Sequence, residues 1–385
     1  MKTLIVEATL KLILVLASMF SLASCRGDHG NTGTTDSRDS LIAMHDARLL
    51  EISEHKEFTE VRITNPWDTT QLLDKYILVE RDKPLPENLP DGVLLRVPLN
   101  KSLVYSSVHA GLLSELGSDS SIAGVCNASY IKDKKLKTRI DAGLVADCGP
   151  DLSPDIEKII MLGPDAILLS PFESNTQYGK VKGIGIPLVQ CADYMEPTPL
   201  GRAEWIRFFG RLTGKAAEAD SMFMITRQRY LSLKDKAQKS ANRPSVLFDR
   251  QYGATWDVPT ARSTIGILIE DAGGKNPFAS EPKPGSATLD PEQVLAKAHN
   301  ADVWLVRYYQ DNEKTLAELR TDNPINSQFD PLKKGNVYGC NTKKVDFFEQ
   351  TPFHPDLLLE DLINILHPEN STTSANLHFF KKMNP

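Results

Sequence analysis

The feature that most constrains this chain is a unit written twice. In the first copy, Ser153-Pro154-Asp155-Ile156-Glu157 opens a helical pattern through Ile159, Ile160 and Leu162. After Gly163-Pro164-Asp165, the run Ala166-Ile167-Leu168-Leu169 reads as a buried strand ending near Phe172. In the second copy, Asp290-Pro291-Glu292 opens a helix through Val294 and Leu295, and Asp302 precedes the strand Val303-Trp304-Leu305-Val306, which ends at Tyr308 and Tyr309. A polar cap satisfies free N–H groups at a helix start, and a proline just inside it has no N–H to lose. Short aliphatic runs between helices are the pattern of parallel strands covered on both faces. The expected fold class is therefore α/β, with two α/β lobes built on mainly parallel sheets.

Between the copies lies a long helical zone. Thr198-Pro199 starts it, Trp205, Phe208, Phe209 and Leu212 form one stripe, and Gly214 interrupts it. The pattern resumes with Ala216, Ala219, Met222, Phe223, Tyr230 and Leu233 and stops before Pro244. If residues 215–240 are one helix, it is about 39 Å long. A rod of that length joining two lobes, with the ligand cleft between them, predicts limited hinge closure. The boundaries that follow are 101–197 for lobe 1, 198–243 for the helical hinge and 244–368 for lobe 2. A polar tail with Lys381-Lys382 occupies 369–385, and no function is read from it.

Ahead of the lobes the grammar differs. Phe58-Thr59-Glu60-Val61-Arg62-Ile63 and Tyr76-Ile77-Leu78-Val79-Glu80 alternate as strands do, around an Asn65-Pro66-Trp67-Asp68 turn. Residues 44–100 are expected to form a β-hairpin extension packed on lobe 1. Further upstream, Lys2 and Lys11 precede the apolar run Leu12–Phe20, then Leu22-Ala23-Ser24-Cys25. A spanning helix needs about 18 to 20 apolar residues, so this shorter run reads as a signal peptide, residues 1–24. Leu-Ala-Ser-Cys is similar to a lipobox, which makes Cys25 the lipidated first residue. Residues 25–43 then hold that cysteine and a flexible tether, and 15 polar residues of it would reach roughly 20 Å.

Charge and cysteine usage narrow the function classes. With 44 Lys and Arg against 50 Asp and Glu the net charge is −6, and loss of Lys2, Lys11 and Glu7 with the signal makes it −7. No basic bulk balance exists to hold a nucleic acid. Cys126, Cys148, Cys191 and Cys340 remain after lipidation, with no C-x-x-C, so a structural zinc is not expected. One or two disulfides fit an exported chain, and three complete pairings stay open. Spacing favours Cys126 with Cys148, worth about 3 kcal/mol on the chain-entropy model, against independent buried thiols.

Several strings together carry a resemblance over roughly residues 95–368. They are Val104-Tyr105-Ser106-Ser107, Leu116-Gly117 with Ile122-Ala123-Gly124-Val125, and Asp155-Ile156-Glu157-Lys158-Ile159 with Pro164-Asp165-Ala166-Ile167-Leu168. Gly185-Ile186-Pro187-Leu188-Val189 and Asp290-Pro291-Glu292-Gln293-Val294-Leu295 continue the series. The most specific piece is Ala192-Asp193-Tyr194-Met195-Glu196-Pro197-Thr198-Pro199-Leu200-Gly201-Arg202-Ala203-Glu204-Trp205. In this order, behind a lipobox, the chain resembles the helix-hinged (class III) periplasmic substrate-binding lipoproteins of ABC importers for cobalamin, ferric siderophores and haem, in their Bacteroidetes-type form. The resemblance implies a non-enzymatic, monomeric, lipid-anchored receptor in the periplasm. It would capture a cobalamin or ferric chelate and deliver it to an ABC permease served by a separate ATPase, with the lipid anchor its only membrane contact and no cofactor or metal of its own. It also places permease-docking carboxylates at Glu157 and Glu292, the two glutamates that the internal repeat sets in first helical turns. An acid there also complements the helix dipole.

Ligands of open α/β sheets gather outside the carboxyl ends of strands. The candidates there are Tyr105, His109, Tyr130, Phe172 with Glu173, Tyr194, Trp256, Arg262, Tyr308 with Tyr309, and Phe347 with Phe348. Aromatic walls suit the broad face of a corrin, porphyrin or catecholate chelate, and an inward Arg262 would meet ligand carboxylates. By resemblance, Tyr130 and Phe172 match cleft aromatics of cobalamin-binding relatives. His109 is positioned to ligate haem iron or cobalt, although a single histidine at a helix start is more often a packed side chain. With His299, His354 and His367 it forms no three-histidine pattern, which disfavours a zinc or manganese carrier. Gly210–Lys215 is one residue short of a phosphate-binding loop and is followed by Ala216, and neither H-E-x-x-H nor G-x-S-x-G occurs. The alternatives kept open are a haem binder, a periplasmic protein that removes metal from a chelate, and a receptor that presents its ligand to a membrane sensor.

Overall fold

Alternation builds the first layer, except that toward the end of Leu72–Glu80 both faces are buried, Ile77 and Val79 included. In Leu50–Glu54, Thr59–Thr64 and Leu72–Glu80 every second side chain turns to one face, and Leu50, Ile52, Val61, Ile63, Tyr76 and Leu78 are buried there. The structure is a computed structural model that describes residues 40–173, 179–370 and 376–385. All of them belong to one unit running from Asp39 to Pro385. The expected signal peptide, Cys25 and the tether up to residue 39 fall outside the described residues. None of the described helices is long and apolar enough to cross a membrane.

The opening layer is larger than the expected hairpin. Five strands run in the order β1 (Ser40–Ile42), β2 (Leu50–Glu54), β3 (Thr59–Thr64), β4 (Leu72–Glu80) and β5 (Val93–Val97). The first four are antiparallel and β5 lies parallel to β4. The physical reason is a pair of buried carboxylates. Glu204 accepts the backbone N–H groups of His45, Asp46 and Ala47 at 2.7–3.0 Å, and Glu196 accepts those of Arg48 and Leu49 at 2.9–3.1 Å. Trp205 also donates its indole N–H to Glu196 at 3.0 Å. Residues 45–49 are thereby pinned to the hinge, and β1 and β2 are pinned with them.

Lobe 1 is a five-stranded, all-parallel sheet in the order β10 (Leu188–Gln190), β9 (Ala166–Leu169), β6 (Ser102–Val104), β7 (Ile122–Val125) and β8 (Ala146–Asp147). In lobe 2, β11 (Val246–Phe248), β14 (Val303–Tyr308) and β15 (Val337–Asn341) are parallel, and β12 (Trp256–Pro259) pairs with β13 (Ser286–Leu289) in a separate antiparallel ribbon. The polar-tail expectation is corrected. Strand β16 (Lys381–Lys382) adds antiparallel to β15, Phe379, Phe380 and Met383 are buried, and the Asp361 carboxylate accepts the N–H groups of His378, Phe379 and Phe380. Two lysines hid a pair of phenylalanines that complete the lobe 2 core.

The hinge follows the sequence closely. Thr198 caps the helix Pro199–Glu204, Gly214 ends Ile206–Thr213 in the left-handed region, and Ala216–Ala237 forms one 22-residue helix about 33 Å long. It straddles two cores: Ala219 and Phe223 pack with lobe 1 and the first sheet, and Tyr230 packs in lobe 2. The first repeat copy begins two residues later than expected, because Asp155 rather than Ser153 accepts the Lys158 N–H. The second copy has Asp290 and Gln293 closing a capping box. The favoured disulfide is also corrected. Cys126, Cys148, Cys191 and Cys340 are all free and buried, and burial pushes the Cys148 thiol up to about 11, so its reactive thiolate is suppressed.

Candidate functional site

Each parallel strand ends by turning into a loop, and those loops collect on one end of each sheet. On lobe 1, β6 runs into Tyr105 and Ser106, whose hydroxyl caps the helix Ser107–Glu115 by accepting the Val108 N–H at 3.2 Å. β7 runs into Asn127, held at φ +51°, a left-handed turn that asparagine tolerates and that sets up Tyr130. β9 leads to Ser170 and Phe172, and β10 leads to Tyr194, which donates its hydroxyl to the Pro171 carbonyl at 2.5 Å. Together Tyr105, Ser106, Ser107, Asn127, Tyr130, Asp151, Ser170 and Phe172 line a hollow of about 240 Å³. Tyr130 is 61% exposed and Phe172 38%, large apolar areas on one wall.

Lobe 2 presents the opposing ends. Asp249, directly after β11, is held at φ +66°, and its carbonyl accepts the Trp304 indole N–H at 2.7 Å. Its carboxylate pairs with Arg307, whose guanidinium carbon lies 5.1, 5.3 and 5.2 Å from the ring centres of Phe248, Phe347 and Phe348. Next along, Arg250, Gln251, Tyr252, Gly253, Asp322, Asn323 and Asn326 line a second hollow of about 280 Å³. Tyr252, Tyr309 and Phe348 are exposed. Lys343 lies 5.7 Å from the Tyr309 ring centre and pairs with Asp311.

The two ends are tied across the seam. Lys132 of lobe 1 donates to the carbonyls of Thr342 and Val345 at 2.6 and 3.2 Å and reaches Glu349 at 3.5 Å. His354 meets Glu115 at 2.7 Å, and Ser107 donates to Glu349 at 3.4 Å. Burial works against a charged His354, yet the Glu115 carboxylate raises it above the usual histidine range. These links set the end of β15 against the start of the Ser107–Glu115 helix. A larger groove of about 870 Å³ lies between the first sheet and the hinge, around His55, Phe58, Arg81 and Pro98. It sits at the carboxyl ends of β4 and β5, outside the parallel sheets of the two lobes, and Arg211 beside it already pairs with Glu54.

The residues expected from sequence divide cleanly. Tyr105, Tyr130 and Phe172 come together in the lobe 1 hollow, with Tyr194 at its rim through the Pro171 contact. His109 is corrected: it is buried against Phe209 and bonds Asp193 at 2.8 Å, so it holds the hinge rather than a ligand. Burial alone would raise Asp193, but His109 and Arg202 hold it below the usual carboxylate range. Trp256 is corrected too, being fully buried against Trp304 and Phe329. Arg262 follows the antiparallel β12, not a parallel-strand end, and donates to the Pro282 carbonyl. Tyr308 and Phe347 are buried one position behind the exposed Tyr309 and Phe348, and Tyr308 donates to Glu313 at 2.7 Å. Tyr252, Arg307 and Lys132 were missed. The strand-end rule applied to Val246–Phe248 would have found Tyr252, whereas Lys132 carries no sequence signal.

No group of three metal-ligating side chains occurs among the described residues. Glu157 and Glu292 are exposed in first helical turns, and among the described residues neither has an ion-pair partner.

A family model described as periplasmic binding protein matches residues 103–343, more than half of the chain. An uncharacterised lipoprotein of Methanocaldococcus jannaschii is 29% identical over 327 residues, covering 80% of this chain and 76% of that protein. A cobalamin-binding protein of Halobacterium salinarum is 25% identical over 236 residues, 60% of each chain. Among solved structures, a periplasmic heme binding protein from Pseudomonas aeruginosa superposes with a TM-score of 0.57 at 16% identity, over 74% of this chain and 99% of that one.

Proposed function

This chain belongs to the periplasmic binding protein family, and on that premise we propose that it is a lipid-anchored receptor that captures a cobalamin or ferric chelate. It delivers this ligand to an ABC permease, acts outside the cytoplasm and catalyses no reaction. The observation that carries the reading is the pair of aromatic walls at the sheet ends, Tyr130, Phe172 and Tyr194 on lobe 1 and Tyr252, Tyr309 and Phe348 on lobe 2, all of them exposed. Stiff aromatic side chains give large contact area at low entropic cost, which suits a broad, flat guest.

Charge supports cobalamin within that class. Arg307 is matched by Asp249, Lys343 by Asp311 and Lys132 by Glu349. These three cations are matched, which leaves Arg250 in the lobe 2 hollow without a carboxylate partner among the described residues, so a highly anionic ferric catecholate would find few free cations. The cobalamin-binding relative in Halobacterium points the same way.

Calorimetry of the full chain against cyanocobalamin, a ferric hydroxamate, a ferric catecholate and haemin tests the proposal. Saturable one-to-one binding, tightest for cyanocobalamin and without turnover, is the expected result. Absence of saturable binding to the whole panel, or release of free metal with time, overturns it.

A further inference from the structure

Directly after β11 the chain builds a small polar hollow. The left-handed turn at Asp249 carries it out of the sheet, and Arg250, Gln251 and Tyr252 then meet Asn323 and Asn326 around a space of about 280 Å³. Whole drug-sized ligands fill roughly 300–1,000 Å³, so this space suits one arm of a larger guest. Its walls are set by internal bonds. Gln251 accepts from the Asn323 amide at 2.6 Å and donates to the Gly253 carbonyl at 2.8 Å, and the Arg250 Nε donates to the Arg307 carbonyl at 3.3 Å. Asp322, also in the lining, is paired with Lys314 at 3.1 Å.

Three groups of the hollow are left to meet a guest. Among the described residues no carboxylate pairs with the Arg250 guanidinium. Asn326 is only 3% exposed, its NH2 donates to the Leu319 carbonyl at 2.8 Å, and its Oδ1 has no hydrogen-bond partner among the described residues. Exchanging the two amide ends would set oxygen against the Leu319 carbonyl, so the bare atom is an acceptor. Native folds rarely leave such a buried acceptor unmatched. Tyr252 is 84% exposed.

Chemistry selects the guest. Arg250 suits an oxyanion, Asn326 suits a hydroxyl or N–H donor beside it, and Tyr252 offers a flat face for a stacked heteroaromatic ring. A haem propionate supplies only the anion. A base, a ribose hydroxyl and a phosphodiester carried on one arm supply all three.

We propose that the lobe 2 hollow is a subsite for the nucleotide arm of a corrinoid, with Arg250 on the phosphodiester, Asn326 accepting from a ribose hydroxyl and Tyr252 against the base. This rests on the receptor reading and deepens it, from the class of broad chelates to a complete cobalamin.

Calorimetry of the full chain tests it by comparing cyanocobalamin with dicyanocobinamide, which keeps the corrin and lacks the phosphodiester, ribose and base. The expected Kd is about ten- to hundredfold lower for cyanocobalamin. Arg250→Gln removes most of that ratio by weakening cyanocobalamin alone, and Arg250→Lys restores part of it. Tyr252→Ala, at an exposed position, lowers the ratio as well, and an unchanged Tm shows that each variant is folded. Equal Kd values for the two corrinoids, a ratio that survives Arg250→Gln, or a variant that weakens both corrinoids alike overturns the inference. AMP carries base, ribose and phosphate without a corrin, and its binding more tightly than cyanocobalamin also overturns it, because the hollow would then serve a free nucleotide. Failure of the receptor reading shows as no saturable binding of either corrinoid, haemin or the ferric chelates, and this inference falls with it. Failure of this inference alone shows as saturable corrinoid binding that is indifferent to the arm.

Discussion

Replacing Glu204 by Gln tests why the first sheet belongs to the hinge. The carboxylate is fully buried, and one oxygen accepts the N–H groups of His45, Asp46 and Ala47 at 3.0, 2.7 and 2.8 Å. Its other oxygen accepts His45 at 2.9 Å and the Arg207 guanidinium at 2.9 Å. An amide must turn its NH2 toward one of these sets, so donor faces donor in either orientation. Each buried N–H left unsatisfied costs about 1–3 kcal/mol, and breaking one side of a buried ion pair about 3–5 kcal/mol. Arg207 keeps Asp220 at 2.9 Å and the Ala43 carbonyl at 2.9 Å, which limits the second cost. The expected loss is therefore about 3–5 kcal/mol, a large share of the roughly 5–15 kcal/mol that folded domains possess. Chemical denaturation should show a lower midpoint, and amide exchange should accelerate first at residues 45–49. Ligand affinity should not change, because the clamp touches neither aromatic wall. A loss under about 1 kcal/mol, or unchanged exchange at 45–49, would refute the clamp argument.

Three further outcomes follow from the same structure. Lys132→Met removes the donor shared by the Thr342 and Val345 carbonyls and should cost about 1–2 kcal/mol. Distances between spin labels on the two lobes should broaden in the ligand-free chain, and an unchanged distribution contradicts the tie. His354→Asn should expose a pH dependence. The folded histidine is raised above its ordinary value, so its contribution is complete below about pH 6.5 and fades as pH rises through the folded pKa. The wild-type advantage in Tm should thus be greatest in mild acid and shrink toward alkaline pH, and an advantage that grows with pH contradicts the pairing. Gly210→Ala should lose about 1–3 kcal/mol, because the new methyl group would lie 2.4 Å from the Ala219 Cβ and 2.8 Å from the Lys215 carbonyl. A Tm equal to that of the wild type would mean that the corner between the two hinge helices is looser than described.

Part of the candidate site was legible because it follows from topology. Tyr130, Phe172 and Tyr309 stand where a parallel strand ends, and any sequence that marks the strand marks them. Two of the errors share one cause. His109 and Phe347 lie near the right elements but point into the core, and periodicity does not report which way a loop or helix start turns its side chains. Trp256 and Arg262 failed for a different reason: the strand they were read from is antiparallel and in a separate ribbon, a pairing that local pattern does not encode.

Local chemistry in the chain was enough to determine the α/β class, the repeated cap, helix and strand, and the hinge between Thr198 and Ala237, because caps, prolines and apolar periods act within a few residues. Tertiary structure alone decided that Glu196 and Glu204 would gather residues 45–49 from about 150 positions away, that Phe379 and Phe380 would close lobe 2, and that Lys132 would cross the seam. Those are contacts between distant segments, and whether a polar group is satisfied or a side chain covered depends on what the rest of the chain brings to it.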